Sequence, residues 1–538
     1  MTTVLDDSFH VFDTTLRDGA QSEGINLTVN DKLAITRLLD DFGVGFIEGG
    51  WPGANPRDTE FFRRAKEELR LCHATLVAFG STRRPGVRVE EDTQVAALLE
   101  AGTDIVTLVA KSHDRHVELV LRTSLEENLR MVSDTVAHLR AHGRRVFVDC
   151  EHFFDGYADN PEYALDVVRT AHEAGAEVAV LCDTNGGWLP GRIHSAVAEV
   201  RRATGARLGV HTQDDAGCAV ANTLAAVEAG ATHVQCTANG YGERVGNANL
   251  FQVVAALELK HGRRVLPEGA LAHMTRLAHE IAEIVDMAPP THEPYVGASA
   301  FAHKGGLHAS AVKVDPHLYQ HIDPARVGNS MRMLVSDQAG RASLEIKAEE
   351  LGIGLHGDRE LSARLIARVK ERELEGYAYE SADASLEMLI REETGTGLPR
   401  PFEIEYWRVV SERRAGGRPV HEAIVELRAG QRQAVAVAKA SSPEAGLHMA
   451  VQRGLGQMFP ELGELRLVDF KVRTLDTGGG CVCRVLLTMA SGARRWTTVG
   501  AGGDLVTATW RALDDAYVHG LLHSGVVTAE EAEAQAVP

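Results

Sequence analysis

The chain has 538 residues, of which 44% are hydrophobic and 24% are charged, and its formal net charge is −19. A chain of this length is too long for a single hydrophobic core, so several domains are expected. The acidic balance argues against nucleic acid as a partner and against an anionic membrane, although a small anionic substrate could still bind at a local basic patch.

The beginning of the chain and its cysteines indicate where the protein works. The first ten residues, MTTVLDDSFH, have neither the basic start nor the apolar core of a signal peptide. No stretch approaches the roughly 20 apolar residues of a membrane span. The seven cysteines are scattered and odd in number, which favours reduced thiols. We therefore expect a cytoplasmic protein with no membrane partner.

Eight short apolar runs, each followed by a helical stretch, recur between residue 10 and about residue 240. Buried runs that alternate with helices indicate parallel strands joined by crossover helices. Eight such units predict an α/β fold, a (β/α)₈ TIM barrel over residues 1–288, whereas a doubly wound open sheet usually has fewer strands. The predicted strands are 10–12, 44–47, 75–79, 105–109, 145–148, 177–181, 208–210 and 233–235.

The pattern changes after the paired prolines at 289 and 290. Residues 289–395 are predicted to form a helical linker subdomain, and the composition of 392–401 is typical of a flexible linker. Residues 396–538 are predicted to form a C-terminal α+β domain, with helices near 443–456 and 503–522. Its predicted strands are 402–410, 420–427, 433–440, 465–474, 482–489 and 494–499.

Polar residues follow the predicted barrel strands, at the end of the barrel where such folds carry their chemistry. This repetition across all eight strands is a stronger signal than any single motif. A pair of adjacent arginines after the third strand could meet phosphate groups or form a solvated turn. The polar residues include Asp13, Arg17, Asp18, Glu48, Arg83, Arg84, Lys111, His113, His116, Glu151, His152, Asp183, Thr184, His211, Gln213, Asp215, Arg244 and Asn247.

Residues 13–19, DTTLRDG, bring two carboxylates and a guanidinium to the end of an apolar strand. Charges at such a place are costly to desolvate, so each needs a partner or a function. A surface turn with a local ion pair is the alternative interpretation. We expect Asp13 to hold Arg17 or a neighbouring group in place.

Four of the polar residues could bind a divalent metal ion. His211 and Gln213 are two positions apart, so on a strand both side chains point to the same face. With Asp18 and Asn247 they offer one nitrogen and three oxygens, a set that suits Mg²⁺ or Mn²⁺ better than structural zinc. Taken alone, His211 could be a core histidine and Asn247 the N-cap of the next helix.

Three segments resemble the signature regions of the α-isopropylmalate synthase and homocitrate synthase family. They are DTTLRDG at 13–19, HTQDDAGCAVANTLAAVEAGA at 211–231 and NGYGERVGNANL at 239–250. The resemblance covers essentially the whole chain and implies a metal-dependent barrel enzyme that condenses acetyl-CoA with a 2-oxo acid. Four further segments are similar to the branch of this family whose oxo acid is pyruvate: FVDCEHFFDGY at 147–157, LCDTNGG at 181–187, FAHKGGLHASAV at 301–312 and YQHIDPARVGN at 319–329.

The resemblance also implies roles for individual residues. Asp18, His211 and Asn247 match metal ligands, and Arg17 matches the arginine that contacts the oxo acid and developing oxyanion charge. Glu151 is the first candidate for the catalytic base. The other implied site residues are Thr184 and His116 as substrate contacts, and His308 and Tyr319 as a catalytic pair that reaches the partner's active site in a homodimer.

The C-terminal domain resembles the allosteric domain of this family, which binds the end product of the pathway. For the pyruvate-using branch, the expected effector is isoleucine. One position departs from the family pattern, because Gln213 stands where the family usually has a second metal-binding histidine. This favours Mg²⁺ or Mn²⁺ over Zn²⁺, or places Gln213 outside the ligand set.

Three alternatives remain open at this stage. The first is a sister enzyme, such as a 2-isopropylmalate synthase, that takes another 2-oxo acid. The second is a lyase or aldolase of the same barrel superfamily, which the long C-terminal extension disfavours. The third is a non-catalytic paralogue, which only the glutamine at position 213 suggests.

Overall fold

The computed structural model describes residues 8–524 except 337–339, 356–357, 395–399, 414, 416, 418, 461–464, 477–480 and 493. The chain forms two compact units. The first comprises Met1–Phe301 with Ile322–Ser330, and the second comprises Ala302–His321 with Met331–Pro538. The predicted domain boundary at 395–396 lies outside the described residues.

Eight parallel strands close into a barrel in the first unit, with the first strand paired to the eighth. The predicted (β/α)₈ barrel is therefore confirmed. The strands are β1 His10–Asp13, β2 Phe46–Gly50, β3 Thr75–Ser81, β4 Ile105–Lys111, β5 Arg145–Glu151, β6 Val178–Asp183, β7 Leu208–Thr212 and β8 His233–Cys236.

Every strand ends later than the sequence pattern predicts. In β5, for example, the predicted end is residue 148, whereas Asp149, Cys150 and Glu151 still belong to the strand. At the ends of β4 and β5, the charged residues Lys111 and Glu151 pair with each other, so a charge there does not interrupt the backbone ladder. Polar residues at the carboxyl ends of the barrel thus lie on strands as well as on loops.

Helices surround the barrel and carry clear start and stop signals. Thr28 and Asp31 form a capping box at the start of the first helix, and Gly43 ends it with a φ of 91°. The helices are α1 Val29–Phe42, α2 Pro56–Glu68, α3 Thr93–Ala101, α4 Asp114–His116, α5 Leu125–Ala141, α6 Phe153–Asp159, α7 Pro161–Glu173, α8 Pro190–Thr204, α9 Ala219–Glu228, α10 Leu250–Leu259 and α11 Met274–Ile284.

Two hydrophobic clusters build the barrel. The larger one lies between the strands and the helices. The smaller one includes Phe12, Phe46, Phe147 and Val180, which come from different strands and fill the interior. Large side chains thus close the interior of the barrel and leave a cavity at the carboxyl ends of the strands.

The second unit begins with short parallel strands β9 Ala302–His303 and β10 Arg332–Met333 and contains two three-stranded antiparallel sheets. The predicted α+β fold is confirmed, and each predicted strand lies within three residues of an observed one. The helices are α12 Gly306–Val314, α13 Arg341–Glu350, α14 Arg359–Leu374, α15 Asp383–Glu393, α16 Pro443–Met458 and α17 Leu505–His523. The sheets are β11 Glu403–Glu412, β12 Val420–Ala429 and β13 Arg432–Ala440, and β14 Arg466–Asp476, β15 Cys481–Ser491 and β16 Arg494–Gly502.

The helical segment and the last sheet share one core. Leu344 of α13, Leu365 of α14 and Leu386 of α15 pack in the same cluster as Val499 and Ala501 of β16. The helical linker is therefore part of the compact unit that contains the C-terminal sheets.

All seven cysteines are free thiols. Cys150, Cys182 and Cys236 are buried in barrel strands, where burial raises the pKa of each thiol. Among the described residues, no helix is long and apolar enough to cross a membrane.

Candidate active site

A cavity of about 450 Å³ opens at the carboxyl ends of the barrel strands. Its lining combines charged groups, which can bind a small acid, with apolar side chains, which can bind a larger ligand. Six predicted site residues line it: Arg17, Asp18, Glu151, Thr184, His211 and Gln213. The apolar part of its wall includes Trp51, Phe79, Val109, Leu121 and Met131.

Asp18 and His211 meet in this cavity although 193 positions separate them in the chain. The Nε2 atom of His211 lies 3.1 Å from Oδ2 of Asp18. Burial opposes ionisation of Asp18, but the charge of Arg17 and the hydrogen bond with His211 outweigh it and hold the pKa of Asp18 below its usual range. An ionised carboxylate beside an imidazole nitrogen is a suitable start for a divalent metal site.

Asn247 completes this group. Its side-chain NH₂ donates to the backbone oxygen of Tyr241 at 3.0 Å, whereas its Oδ1 is buried without a hydrogen-bond partner in the structure. Asn247 also interacts with Asp18 and contributes to the low pKa of that carboxyl. A buried amide oxygen without a donor is costly, and a cation would satisfy it. The residues present therefore fit a divalent metal ion.

Asn247 does not cap the following helix, so that alternative interpretation is wrong. The cap of α10 is Asn249, whose side chain accepts a hydrogen bond from the backbone N–H of Phe251. The sequence has an asparagine at both 247 and 249, and either residue could cap the helix. Only the backbone path shows that Asn249 does so.

Arg17 is fixed by three neighbours. Its Nε donates to Oε2 of Glu48 at 2.6 Å, and its guanidinium lies 3.9 Å above the ring of Phe79. A further nitrogen lies 3.4 Å from Asp18. Burial raises the pKa of Glu48 to about 7, against the opposing effect of the Arg17 charge. The arginine is thus held in one position before any substrate arrives.

A buried hydrogen-bond chain behind His211 was not predicted from the sequence. The Nδ1 atom of His211 lies 2.8 Å from Oε1 of Gln235, and the amide nitrogen of Gln235 donates to Asp149 at 2.8 Å. Asp149 also lines the cavity, 4.0 Å from Arg17. A signal was present in the sequence, since Asp149 interrupts an apolar strand two positions before Glu151 and therefore faces the same side.

Gln213 lies at the cavity wall with its oxygen already engaged. Its Oε1 accepts a hydrogen bond of 2.7 Å from Arg244, and Arg244 also pairs with Asp215 at 2.7 Å. The backbones of Gln213 and Asn247 form an isolated antiparallel bridge. Gln213 is therefore close to the candidate ligands, and its own role as a ligand stays a prediction.

Glu151 and Thr184 also line the cavity. Glu151 forms an ion pair with Nζ of Lys111, which also lines the cavity. The hydroxyl oxygen of Thr184 accepts a hydrogen bond of 2.9 Å from the backbone N–H of His152. Because that oxygen is the acceptor, the hydroxyl hydrogen can point to a bound carboxylate.

His116 lies outside the set that lines the cavity. Its ring packs against that of His152, with centroids 4.0 Å apart. Burial and the nearby Lys111 charge lower the pKa of His116. Its predicted contact with substrate stays a prediction.

His308 and Tyr319 lie in the second compact unit. Their rings stack with centroids 4.2 Å apart, and Tyr319 is 46% exposed. The two predicted partners thus meet, and their catalytic role stays a prediction.

Two other sequence expectations can be compared with the structure. Of the two possibilities for Asp13, the structure shows a neighbouring group rather than Arg17: Asp13 accepts hydrogen bonds from the backbone and hydroxyl of Thr15, whose hydroxyl oxygen in turn accepts from Ala238. Arg83 is not on a solvated turn: it is buried and pairs with Glu127 and Asp134. The partners of Arg83 lie on α5, which local sequence does not reveal, whereas the partner of Asp13 is only two positions along the chain.

Comparison with known proteins agrees with this architecture. An HMGL-like profile matches residues 8–285, a profile described as homocitrate synthase post-HMGL domain-like matches 295–374, and one described as LeuA allosteric (dimerisation) domain matches 380–521. The (R)-citramalate synthase of Streptomyces coelicolor is 65% identical over 98% of this chain and 99% of its own. This chain belongs to the citramalate synthase family.

More distant relatives of the citramalate synthase family extend the comparison. The (R)-citramalate synthase of Aquifex aeolicus is 45% identical over 95% of this chain and 98% of its own length. A 2-isopropylmalate synthase of Methanocaldococcus jannaschii is 29% identical over 95% of this chain and 94% of its own. The family resemblance stated from the sequence motifs is therefore confirmed over nearly the full length.

Proposed function

We propose that this protein condenses acetyl-CoA with pyruvate to give citramalate and free CoA, an entry reaction of isoleucine biosynthesis. The observation that carries this proposal is the 65% identity over 98% of the chain to the (R)-citramalate synthase of Streptomyces coelicolor. The cavity supports it, since it offers a candidate metal group, a fixed arginine and a carboxylate within one space.

Asp18, His211 and Asn247 would hold the divalent ion, which supplies Lewis-acid polarisation of the ketone of the oxo acid when bound. We favour Mg²⁺ or Mn²⁺, because two of the three side chains offer oxygen. Gln213 would either add a third oxygen or remain bound to Arg244. The unpartnered Oδ1 of Asn247 is the structural feature that supports this group.

Two residues would bind and orient pyruvate. The hydroxyl of Thr184 can donate to the carboxylate, because its oxygen already accepts from His152. Arg17 would stabilise the negative charge that develops on oxygen. Its guanidinium is already held by Glu48 and Phe79, so little reorganisation opposes this stabilisation.

Glu151 is the first candidate for the base. It would remove a methyl proton from acetyl-CoA, and the resulting carbanion equivalent would attack the ketone carbon to form citramalyl-CoA. Water would then hydrolyse the thioester and release the CoA thiol, which makes the overall reaction irreversible. His308 and Tyr319 are the rival source of acid–base chemistry.

We also infer a homodimer that is inhibited by isoleucine. The match of residues 380–521 to a domain described as allosteric and dimerising supports both parts. Titration of isoleucine against the activity of the intact enzyme tests the regulation, and light scattering tests the dimer. Unchanged activity at saturating isoleucine would exclude the effector.

A thiol-release assay with acetyl-CoA and a panel of 2-oxo acids tests the reaction itself. Pyruvate should give the highest kcat/KM, and the product should be citramalate by mass spectrometry. A preference for 2-oxoisovalerate or 2-oxoglutarate would assign a sister reaction. No thiol release with any acid, together with cleavage of citramalyl-CoA, would indicate a lyase.

A further inference from the structure

A second group of metal-binding side chains lies far from the described cavity in sequence, in the second compact unit. Glu387 of α15 meets His519 and His523 of α17, and one potential ligand atom from each lies within 4.8 Å of the others. Within the part of the chain that the structure describes, this is the group in which three His, Cys, Asp or Glu donors come together in this way.

Helix geometry produces the arrangement. His519 and His523 are four positions apart, so they lie one above the other on α17, with ring centroids 4.3 Å apart. Glu387 reaches them from the neighbouring helix, and its side chain is only 3% exposed. The Nε2 atoms of both histidines point to the same carboxylate.

The two oxygens of Glu387 share one partner. Oε1 accepts from Nε and Nη2 of Arg391, both at 2.7 Å, and lies 2.9 Å from Nε2 of His523. Oε2 lies 3.2 Å from Nε2 of His519 and 3.1 Å from Nε2 of His523. Burial opposes ionisation, but hydrogen bonds from the histidines and Arg391 hold the pKa of Glu387 below its usual range. An ionised oxygen therefore faces two imidazole nitrogens.

We propose that Glu387, His519 and His523 form a zinc site. Zn–N distances of about 2.0–2.1 Å and tetrahedral angles put neighbouring ligand atoms about 3.3 Å apart. The separations of 3.2 and 3.1 Å between Oε2 of Glu387 and the two histidine nitrogens are close to this value, and all three ligand atoms lie within 4.8 Å of one another. Two histidines and a glutamate are a known zinc ligand set, with water at the fourth position. Arg391 would orient the carboxylate from its other oxygen, as outer partners of metal ligands commonly do.

The site is open to solvent, and an ion bound there would connect two helices. The side chain of His523 is 40% exposed, which provides access from solvent. On binding, each histidine presents the lone pair of Nε2 and keeps its remaining proton on Nδ1. The ion then links α15, at the end of the helical segment, to α17, the last helix among the described residues.

Zinc titration of the full-length, chelator-treated protein tests the proposal. A His211→Ala background removes the candidate ligand in the barrel, so the zinc that remains reports on the second unit. We expect His211→Ala protein to bind one Zn²⁺ per protomer, and His211→Ala combined with His523→Ala to lose that equivalent. Co²⁺ in place of Zn²⁺ should give the visible absorption of a tetrahedral site in the first protein and not in the second.

A matched control comes from α5. His138 and His142 are also four positions apart, with ring centroids 4.4 Å apart. His142→Ala in the same background should leave the zinc stoichiometry unchanged. If His211→Ala protein binds no zinc, or keeps the same equivalent after His523→Ala and after Glu387→Gln, the proposal is overturned. Circular dichroism of each variant ensures that a lost equivalent does not reflect a lost fold.

Discussion

His211 and Gln235 are register partners on neighbouring barrel strands, and a hydrogen bond of 2.8 Å joins His211 Nδ1 to Gln235 Oε1. The amide nitrogen of Gln235 is engaged by Asp149, which fixes the amide so that its oxygen faces the imidazole. The Nδ1 atom of His211 must then carry a hydrogen. Its Nε2 atom is aimed at Asp18, and in the absence of metal it donates to that carboxylate. A metal ion would replace this Nε2 hydrogen, so the ring is already in the orientation that a metal ligand needs.

Replacement of Gln235 by methionine should therefore weaken metal binding. Outer hydrogen-bond partners of metal ligands commonly account for about 10–100-fold in affinity, and we expect a loss in that range. Competition titration of the metal-free protein with Mn²⁺ measures it without reliance on activity. Gln252→Met is the control, because Gln252 also binds a carboxylate, Glu293, but lies on α10 outside the cavity.

Glu151→Gln should lower kcat by at least about 100-fold, because it removes a general base and keeps the shape of the side chain. Steady-state thiol release with pyruvate measures this. Glu243→Gln is the matched control, since Glu243 also lines the cavity but is more exposed. Near-normal turnover in Glu151→Gln, with a large loss in His308→Ala, would transfer the role to His308.

The metal preference should follow the residue at position 213. The chelated wild-type enzyme is expected to recover most activity with Mg²⁺ or Mn²⁺, and Gln213→His should shift the binding preference toward Zn²⁺ by adding an imidazole. Gln21→His, at another glutamine of the cavity wall, serves as the control. Best recovery of the wild type with Zn²⁺ would contradict the expectation.

Asp13 should make the stability of the barrel depend on pH. Burial raises the pKa of this fully buried carboxyl from 3.8 to about 7, although hydrogen bonds from Thr15 oppose the shift. Folding therefore takes up a proton between these two values. The contribution of Asp13 to the free energy of unfolding is greatest below pH 4, falls by roughly 1.4 kcal/mol per pH unit up to pH 7, and is constant above it.

Asp13→Asn should remove this fall, which urea unfolding between pH 4.5 and 8 can measure. Glu127 provides a control of opposite sign, because a hydrogen bond from Arg83 lowers its pKa from 4.5 to about 2. The stability that Glu127 contributes is lost only as the pH falls below about 4.5, so Glu127→Gln should leave the slope above pH 5 unchanged. A parallel shift of the whole Asp13→Asn curve would show that only packing had changed.

The sequence predicted the barrel because strand count and alternation depend on local pattern. It also identified most of the polar residues of the cavity, since a charged residue that follows an apolar run can be recognised from the sequence alone. It could not identify their partners. The pairing of His211 with Gln235 depends on the register between β7 and β8. The pairing of Arg17 with Glu48 depends on how the loop after β1 lies against β2.

The second unit shows a related limit. The compositional linker at 392–401 separates two segments in the sequence, whereas Leu344 and Leu386 share a core with Val499. Hydrophobic periodicity shows that each of these faces is buried but not which face covers it. Long-range packing decides the boundary of the compact unit, and the linker composition does not.

The burial of the barrel cysteines has a consequence for oxidative stress. Peroxides attack the thiolate form, and Cys150, Cys182 and Cys236 combine negligible exposure with a raised pKa. Cys72 and Cys481 are exposed and would be oxidised first. An oxidised protein would therefore carry sulfenic acid or mixed disulfides on its surface, while Cys182 in the cavity wall remained an unmodified thiol.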